Sequence, residues 1–248
     1  MRRELEVRWL GRSAYPESHA LQQRLLEEVA AGRAPDTLLL LEHEPVITCG
    51  RGTDRANLGP AAARLPLFEV ERGGDVTWHG PGQLVGYPIL RLDLHGRDVH
   101  RYLRDLEEAL IRCLARFGVQ AARRSGFTGV WVGAAKAALR HDQGPLTPTH
   151  THEGRGGHEA LAKVAAIGVA VRRWVTYHGF ALNVAPDLAA FGLIVPCGIR
   201  DRGVTSLRDL LGREVTVAEV KAPLVECLVE VFGFEGAAAG DAREYGVV

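Results

Sequence analysis

Lys163-Val164-Ala165-Ala166-Ile167-Gly168-Val169-Ala170-Val171-Arg172, followed by Trp174-Val175-Thr176-Tyr177-His178-Gly179-Phe180-Ala181-Leu182-Asn183-Val184, is the stretch that decides the architecture. Both runs are rich in β-branched and aromatic residues, and a short joint separates them, so they read as two strands of a hairpin. Working outward, Val130-Trp131-Val132 is a strand before the hairpin and Leu84–Leu94 a longer one. Leu67–Val70 and Val76–Trp78 are short strands on either side of a Gly73-Gly74 turn, adjacent to Leu84–Leu94 in a sheet. Thr37–Glu42 is a buried strand of consecutive leucines, followed by the short strand Val46-Ile47-Thr48. Helices are predicted over Ser18–Ala31, Asp98–Phe117 and Val217–Phe232 from apolar positions at helical spacing. The final alanine- and glycine-rich residues read as mobile. Strands and helices alternate without a regular βαβ period. The predicted class is therefore α/β (α+β): a single-domain mixed β-sheet sandwich with flanking helices over residues 1–248, not a doubly wound fold.

Composition narrows the function. The 248 residues carry 30 basic and 30 acidic side chains, which gives no global attraction to nucleic acid or to a membrane surface. The start, Met1-Arg2-Arg3-Glu4-Leu5-Glu6-Val7, lacks the apolar run of a secretory signal, and no apolar segment is long enough to span a bilayer. A cytoplasmic protein is expected, and with it four reduced cysteines, Cys49, Cys113, Cys197 and Cys227. They have no CxxC pairing. HExxH, GxSxG and a Gly-Lys-Ser/Thr phosphate loop are missing too. Four histidines, His141, His150, His152 and His158, lie in a long polar segment at about 137–160 that reads as a flexible surface loop. A loop of that kind fixes no ligand geometry, so no metal is expected.

Three segments carry groups suited to chemistry. Arg72-Gly73-Gly74-Asp75-Val76-Thr77-Trp78-His79-Gly80-Pro81-Gly82-Gln83 is a glycine-rich loop against which a substrate can lie on main chain. The alternative is that its glycines only make tight turns, and His79 is either a proton-transfer group or a structural histidine. Lys163 begins a strand in which strict alternation puts it on one face with Ala165, Ile167, Val169 and Val171. There it either enters a pocket, where an amine can be tuned to act as a base, or reaches solvent along its stem. Pro196-Cys197-Gly198-Ile199 places a thiol on a bend. Cys113 and Cys227 fall in helical stripes as fillers, and Cys49 is the competing nucleophile.

The ordered combination of His43-Glu44-Pro45-Val46 with Gly50-Arg51-Gly52, the Arg72–Gln83 loop, Thr128-Gly129-Val130-Trp131-Val132, Lys163–Gly168, His178–Asn183, Pro196–Ile199 and Thr205-Ser206-Leu207 resembles the lipoyl(octanoyl) transferase family of lipoate biosynthesis. The resemblance implies the catalytic fold of biotin and lipoate protein ligases. It puts the family's acyl-thioester cysteine on Cys197 and its partner lysine on Lys163. Lys136 is a rival position for the lysine, but only Lys163 is followed by Val-Ala-Ala-Ile-Gly. Substrate-binding positions fall on Arg72, Gly73, Gly74, Asp75, Val76, Thr77, Trp78 and His79, on Ala166, Ile167 and Gly168, and on Gly179, Phe180 and Ala181. The implied donor is octanoyl-acyl carrier protein. The implied acceptors are lipoyl domains of 2-oxoacid dehydrogenase E2 subunits or the glycine cleavage H protein, with no cofactor. An ATP-dependent lipoate or biotin protein ligase is the alternative, and a non-catalytic lipoyl-domain or metal-binding module a second.

Overall fold

The computed structural model describes residues 3–133, 161–194 and 203–240. Its main sheet runs, from edge to edge, β12 (Gly236–Ala239), β1 (Glu4–Ser13), β2 (Thr37–His43), β6 (Gln83–Ile89), β10 (Val175–Asn183), β9 (Leu161–Arg172), β8 (Phe127–Gly133) and β7 (Ala122–Arg124), while β11 (Gly203–Val204) also pairs with β9. β1 is parallel to both β2 and β12, and β11 is parallel to β9. The pairs from β2 through β7 are antiparallel. The mixed-sheet α/β expectation holds. A second sheet, β4 (Leu67–Glu69), β3 (Val46–Cys49) and β5 (Val76–His79), has β3 in its centre.

The central strands β2, β6 and β10 are almost wholly buried because helices and the small sheet cover both faces. On one face pack helices α2 (Val99–Arg116) and α4 (Val217–Phe232). Their Leu106, Leu110, Leu114, Leu224 and Leu228 meet Leu38, Leu84, Phe180 and Leu182 of the sheet. On the other face helix α1 (Tyr15–Ala30) lays Leu21, Leu25, Leu26 and Val29 on Leu39, Leu41, Val85 and Tyr87. Each fully buried leucine of these stripes contributes on the order of 2 kcal/mol by removing its surface from water. Helix α3 (Leu207–Leu211) is a single short turn capped by Ser206.

Several boundaries differ from the sequence reading. α1 begins at Tyr15 because Pro16 occupies its first turn, where a missing N–H costs nothing. The two short strands beside Gly73-Gly74 do not pair with each other. β3 lies between them, and β6 belongs to the main sheet. β6 stops at Ile89 rather than Leu94. There the Thr176 hydroxyl donates to the Pro88 carbonyl and accepts from the Leu90 N–H, and the chain turns into a 3-10 helix at Leu92–His95. Of the final residues expected to be mobile, Gly236–Ala239 instead forms the edge strand β12 in register with Glu4–Val7. The hairpin is as expected, and its two-residue turn consists of Arg173 and Trp174, both left-handed at φ 53° and 60°. The segment at about 137–160 expected to be a surface loop lies outside the described residues.

Candidate active site

A cavity of about 570 Å3 opens where β9, β10, the small sheet and the Arg72 loop meet. Arg72, Gly73, Gly74, Asp75, Val76, Thr77 and His79 line it from one side. Ala166, Ile167, Gly168, Gly179, Phe180 and Ala181 line it from the sheet, and Lys163 stands at the same wall. Trp78 is the exception among the expected positions. Alternation along β5 turns its indole away, into an apolar cluster with Ile47 and Cys49, edge-on to Phe191 at 5.4 Å. Cys197 lies outside the described residues.

Lys163 reaches the cavity by a different route from simple alternation. Val130 pairs with Ala165 but Trp131 pairs with Lys163, so β9 holds one extra residue, Val164, at a bulge. Beyond the bulge the parity changes. Ala162, Val164 and Ala165 all join the core under α2 and α4, while Lys163 shares the opposite face with Trp131. The correction is physical: Lys163 is not on the face of Ala165, Ile167, Val169 and Val171 but on that of Ala166, Gly168 and Ala170, of which Ala166 and Gly168 line the cavity. Its Nζ sits 4.7 Å from the centre of the Trp131 ring.

Two glycines allow the walls to approach. Gly129 has φ 120°, and a Cβ there would lie 2.7 Å from the Ala165 carbonyl oxygen and 3.5 Å from Lys163 Cε. Its N–H donates to Oε1 of Glu107, a fully buried carboxylate on α2 that also takes Arg104 Nη1 at 2.6 Å. Glu107 therefore holds the turn of β8 that faces Lys163, a role no sequence motif announced. Gly168 is the second. A Cβ there would meet the Gly73 carbonyl oxygen at 2.9 Å and Arg72 Cδ at 3.0 Å, while the Gly73 N–H donates to the Val169 carbonyl. The loop so pinned is also held from the small sheet, because Arg51 and Gly52 N–H groups donate to the carbonyls of Arg72 and Gly74. Arg72, buried, donates through Nη2 to the Thr48 carbonyl at 2.7 Å and hydroxyl at 3.0 Å.

A polar network underlies this wall. His43 Nδ1 donates to the Ser13 carbonyl at 3.1 Å, so its Nε2 accepts from the Tyr87 hydroxyl at 2.6 Å. Burial lowers its pKa to about 4 and keeps the ring neutral. His79 donates from Nδ1 to Gln83 Oε1 at 3.2 Å, and burial, followed by the nearby His43 and Arg72, holds it well below the usual histidine range. Gln83 Nε2 then donates to Asn183 Oδ1, Asn183 Nδ2 to the Thr205 carbonyl, and the Thr205 N–H to the carbonyl of Lys163. Of the two readings of His79, this arrangement fits the structural one: a neutral ring joined through Gln83 and Asn183 to the backbone of Lys163. Tyr15 and Tyr87, which line the cavity, and Glu107 were not found from sequence. The Tyr15 signal was its place immediately ahead of Pro16 at a helix start.

None of the three described cysteines lines the cavity. Cys49 is packed among Ile47, Val76 and Trp78, and burial raises its pKa. Cys113 and Cys227 lie in the core between α2 and α4, and burial pushes the Cys113 thiol up to about 12. A thiol in such a place resists ionisation and is a poor nucleophile.

The lipoyl protein ligase A/B catalytic domain family matches residues 14–229. The octanoyltransferase of Geobacter sulfurreducens is 52% identical over 86% of this chain and 78% of its own. That of Rubrobacter xylanophilus is 45% identical over 95% of this chain and 97% of its own. The chain belongs to the octanoyltransferase family. It is accordingly an acyltransferase, and the cavity described above is its candidate active site. A bipartite lipoate protein ligase from Thermoplasma acidophilum superimposes with a TM-score of 0.64 at 14% identity, covering 99% of this chain and 91% of that one. This octanoyltransferase-family chain therefore has the lipoate protein ligase fold, as the sequence resemblance implied.

Proposed function

We propose that the chain moves an octanoyl group from octanoyl-acyl carrier protein to a lysine of a lipoyl domain, through a thioester on Cys197 with Lys163 as the proton carrier. The observation that carries this reading is the meeting of Lys163 and the glycine-rich loop at one cavity whose size is that of a small-ligand site. Two further features support it. The described cysteines are buried away from that cavity. The segment bearing Cys197 is bracketed by Ile194, bridged to Leu58, and by Gly203–Val204, paired with Ala162–Lys163.

The chemistry balances without a nucleotide. Lys163 Nζ takes the thiol proton, and the thiolate attacks the carbonyl of the donor thioester. The phosphopantetheine sulfur leaves and is protonated, which gives octanoyl-Cys197 and free carrier thiol. The acceptor lysine amine then attacks this thioester, forms the amide and expels the Cys197 sulfur, with Lys163 handling the proton. The open face made by Ala166 and Gly168 fits an extended apolar chain. The acceptors in this reading are lipoyl domains of 2-oxoacid dehydrogenase E2 subunits or the glycine cleavage H protein, and the setting is the cytoplasm. Among the described residues no helix is long and apolar enough to cross a membrane.

The test is transfer from octanoyl-acyl carrier protein to a purified lipoyl domain without ATP, read as the mass gain of the acceptor. Transfer that Cys197→Ala abolishes is the expected result. A strict ATP requirement would establish the ligase chemistry instead, and full transfer by Cys197→Ala without ATP would remove the Cys197 thioester from the route.

A further inference from the structure

At the outer side of the cavity wall, three side chains from three different elements converge on one point. His19 on α1, Glu71 just ahead of Arg72 and His178 on β10 each offer a ligand atom, and these atoms all lie within 4.8 Å of one another. His19 Nε2 is 3.4 Å from Glu71 Oε2, and His178 Nε2 is 3.5 Å from the same oxygen. The two imidazoles are stacked nearly parallel, with centroids 5.6 Å apart and 14° between their planes. Zinc bonds of this ligand type, arranged tetrahedrally, put neighbouring ligand atoms about 3.3 Å apart. Both separations to the carboxylate oxygen are close to that value.

A second observation points to a ligand. His178 is 2% exposed, and its Nε2 has no hydrogen-bond partner among the described residues. With the Glu71 carboxylate oxygen no nearer than 3.5 Å, this buried ring nitrogen is left incompletely satisfied. His178 is also held in a left-handed conformation, φ 55°, that its residue type adopts only infrequently, and its N–H is fastened to Gln22 Oε1 of α1 at 2.8 Å. The backbone is thus fixed in the position from which its ring lies beside that of His19.

We propose that His19, Glu71 and His178 form a site for one divalent d-block cation of the zinc type, with a fourth position open to water. Two imidazoles and one carboxylate are a donor set suited to such a cation. The Gln23 amide N–H, 3.3 Å from His19 Nε2, donates to that nitrogen and has to release it when the cation binds. The site is structural: the acyl transfer above needs no metal. Its effect follows from connectivity. Glu71 leads directly into Arg72-Gly73-Gly74, and His178 into Gly179-Phe180-Ala181, so a bound cation ties α1 to both walls of the cavity.

The experiment uses the full chain without a histidine tag, after chelator treatment, with Co2+ as the probe. Its visible absorption reports tetrahedral coordination, and Zn2+ serves as the competitor. Titration is done in a background where His141, His150, His152 and His158 are replaced by Gln, which removes the other histidine-rich segment. The expected result is one equivalent of Co2+, displaced by Zn2+, with affinity reduced at least about tenfold by His19→Ala and by Glu71→Gln. Glu71 is half exposed, so its Gln variant reads out binding even if His19→Ala disturbs α1. No saturable binding in the Gln background, or an affinity unchanged by both substitutions, would overturn the proposal.

Discussion

One inserted residue, Val164, determines which way Lys163 faces, and small neighbours determine that there is room around it. Lys163→Arg keeps the charge and the cation–π contact with Trp131 but removes an amine that can give up its proton. Acyl transfer is expected to fall about 10²- to 10⁴-fold with an unchanged melting temperature. Transfer within about threefold of wild type would remove Lys163 from the mechanism. Gly168→Ala puts a methyl 2.9 Å from the Gly73 carbonyl and forces the Arg72 loop outward. A rise in KM for the acyl donor of about tenfold or more is expected from steady-state kinetics, an effect of about 1.4 kcal/mol. An unchanged KM would mean that the loop does not shape the site. Of the substrate positions inferred from resemblance, all but one line the cavity. Trp78 lies away from the cavity because residues adjacent in a strand face opposite ways, and Lys163 was assigned the wrong face because a bulge leaves no mark in the alternation pattern.

The elements were legible where one signal dominated. α2 was found from its stripe, with Asp98 capping the Arg101 N–H at 3.0 Å, and α4 likewise from apolar spacing, the structure adding a capping box in which Thr216 and Glu219 bond each other's backbone N–H. Asp98→Ala is expected to destabilise the protein by about 1 kcal/mol, read by denaturant unfolding. The sheet order was not legible, since pairings such as β1 with β12 join chain ends more than 200 residues apart, and nothing local encodes them. The turn Arg173-Trp174 was equally hidden. Both residues are left-handed, a conformation that Asn-Gly adopts far more readily, while the exposed indole of Trp174 has a cation–π contact with Arg97 at 5.6 Å and Arg173 an exposed ion pair with Glu27 at 2.9 Å, each worth little at a surface. Arg173→Asn with Trp174→Gly is therefore expected to stabilise the fold by about 1 kcal/mol. A lower melting temperature would show that the Trp174 contacts outweigh the strain.

Across the whole molecule, buried neutral histidines couple stability to acid. His43 has a pKa of about 4 in the folded state, against about 6.5 in an unfolded chain. Between those values the unfolded chain binds the extra proton, so stability declines as pH falls from about 6.5 and levels off below about 4. The loss from this residue is about 3 kcal/mol. Tyr87→Phe, which removes the partner of His43 Nε2, leaves that direction unchanged, whereas His43→Gln is expected to flatten the profile of unfolding free energy against pH. An equally steep profile in His43→Gln would assign the acid sensitivity elsewhere. At this scale the proposed octanoyl thioester on Cys197 is the central claim, and the one to test most directly. Intact-protein mass spectrometry after brief mixing with octanoyl-acyl carrier protein, without ATP or acceptor, followed by hydroxylamine and peptide mapping, does so. The account predicts one octanoyl adduct, hydroxylamine-labile and mapped to Cys197. An intact donor with no adduct, or an adduct on Cys49, Cys113 or Cys227, would contradict it.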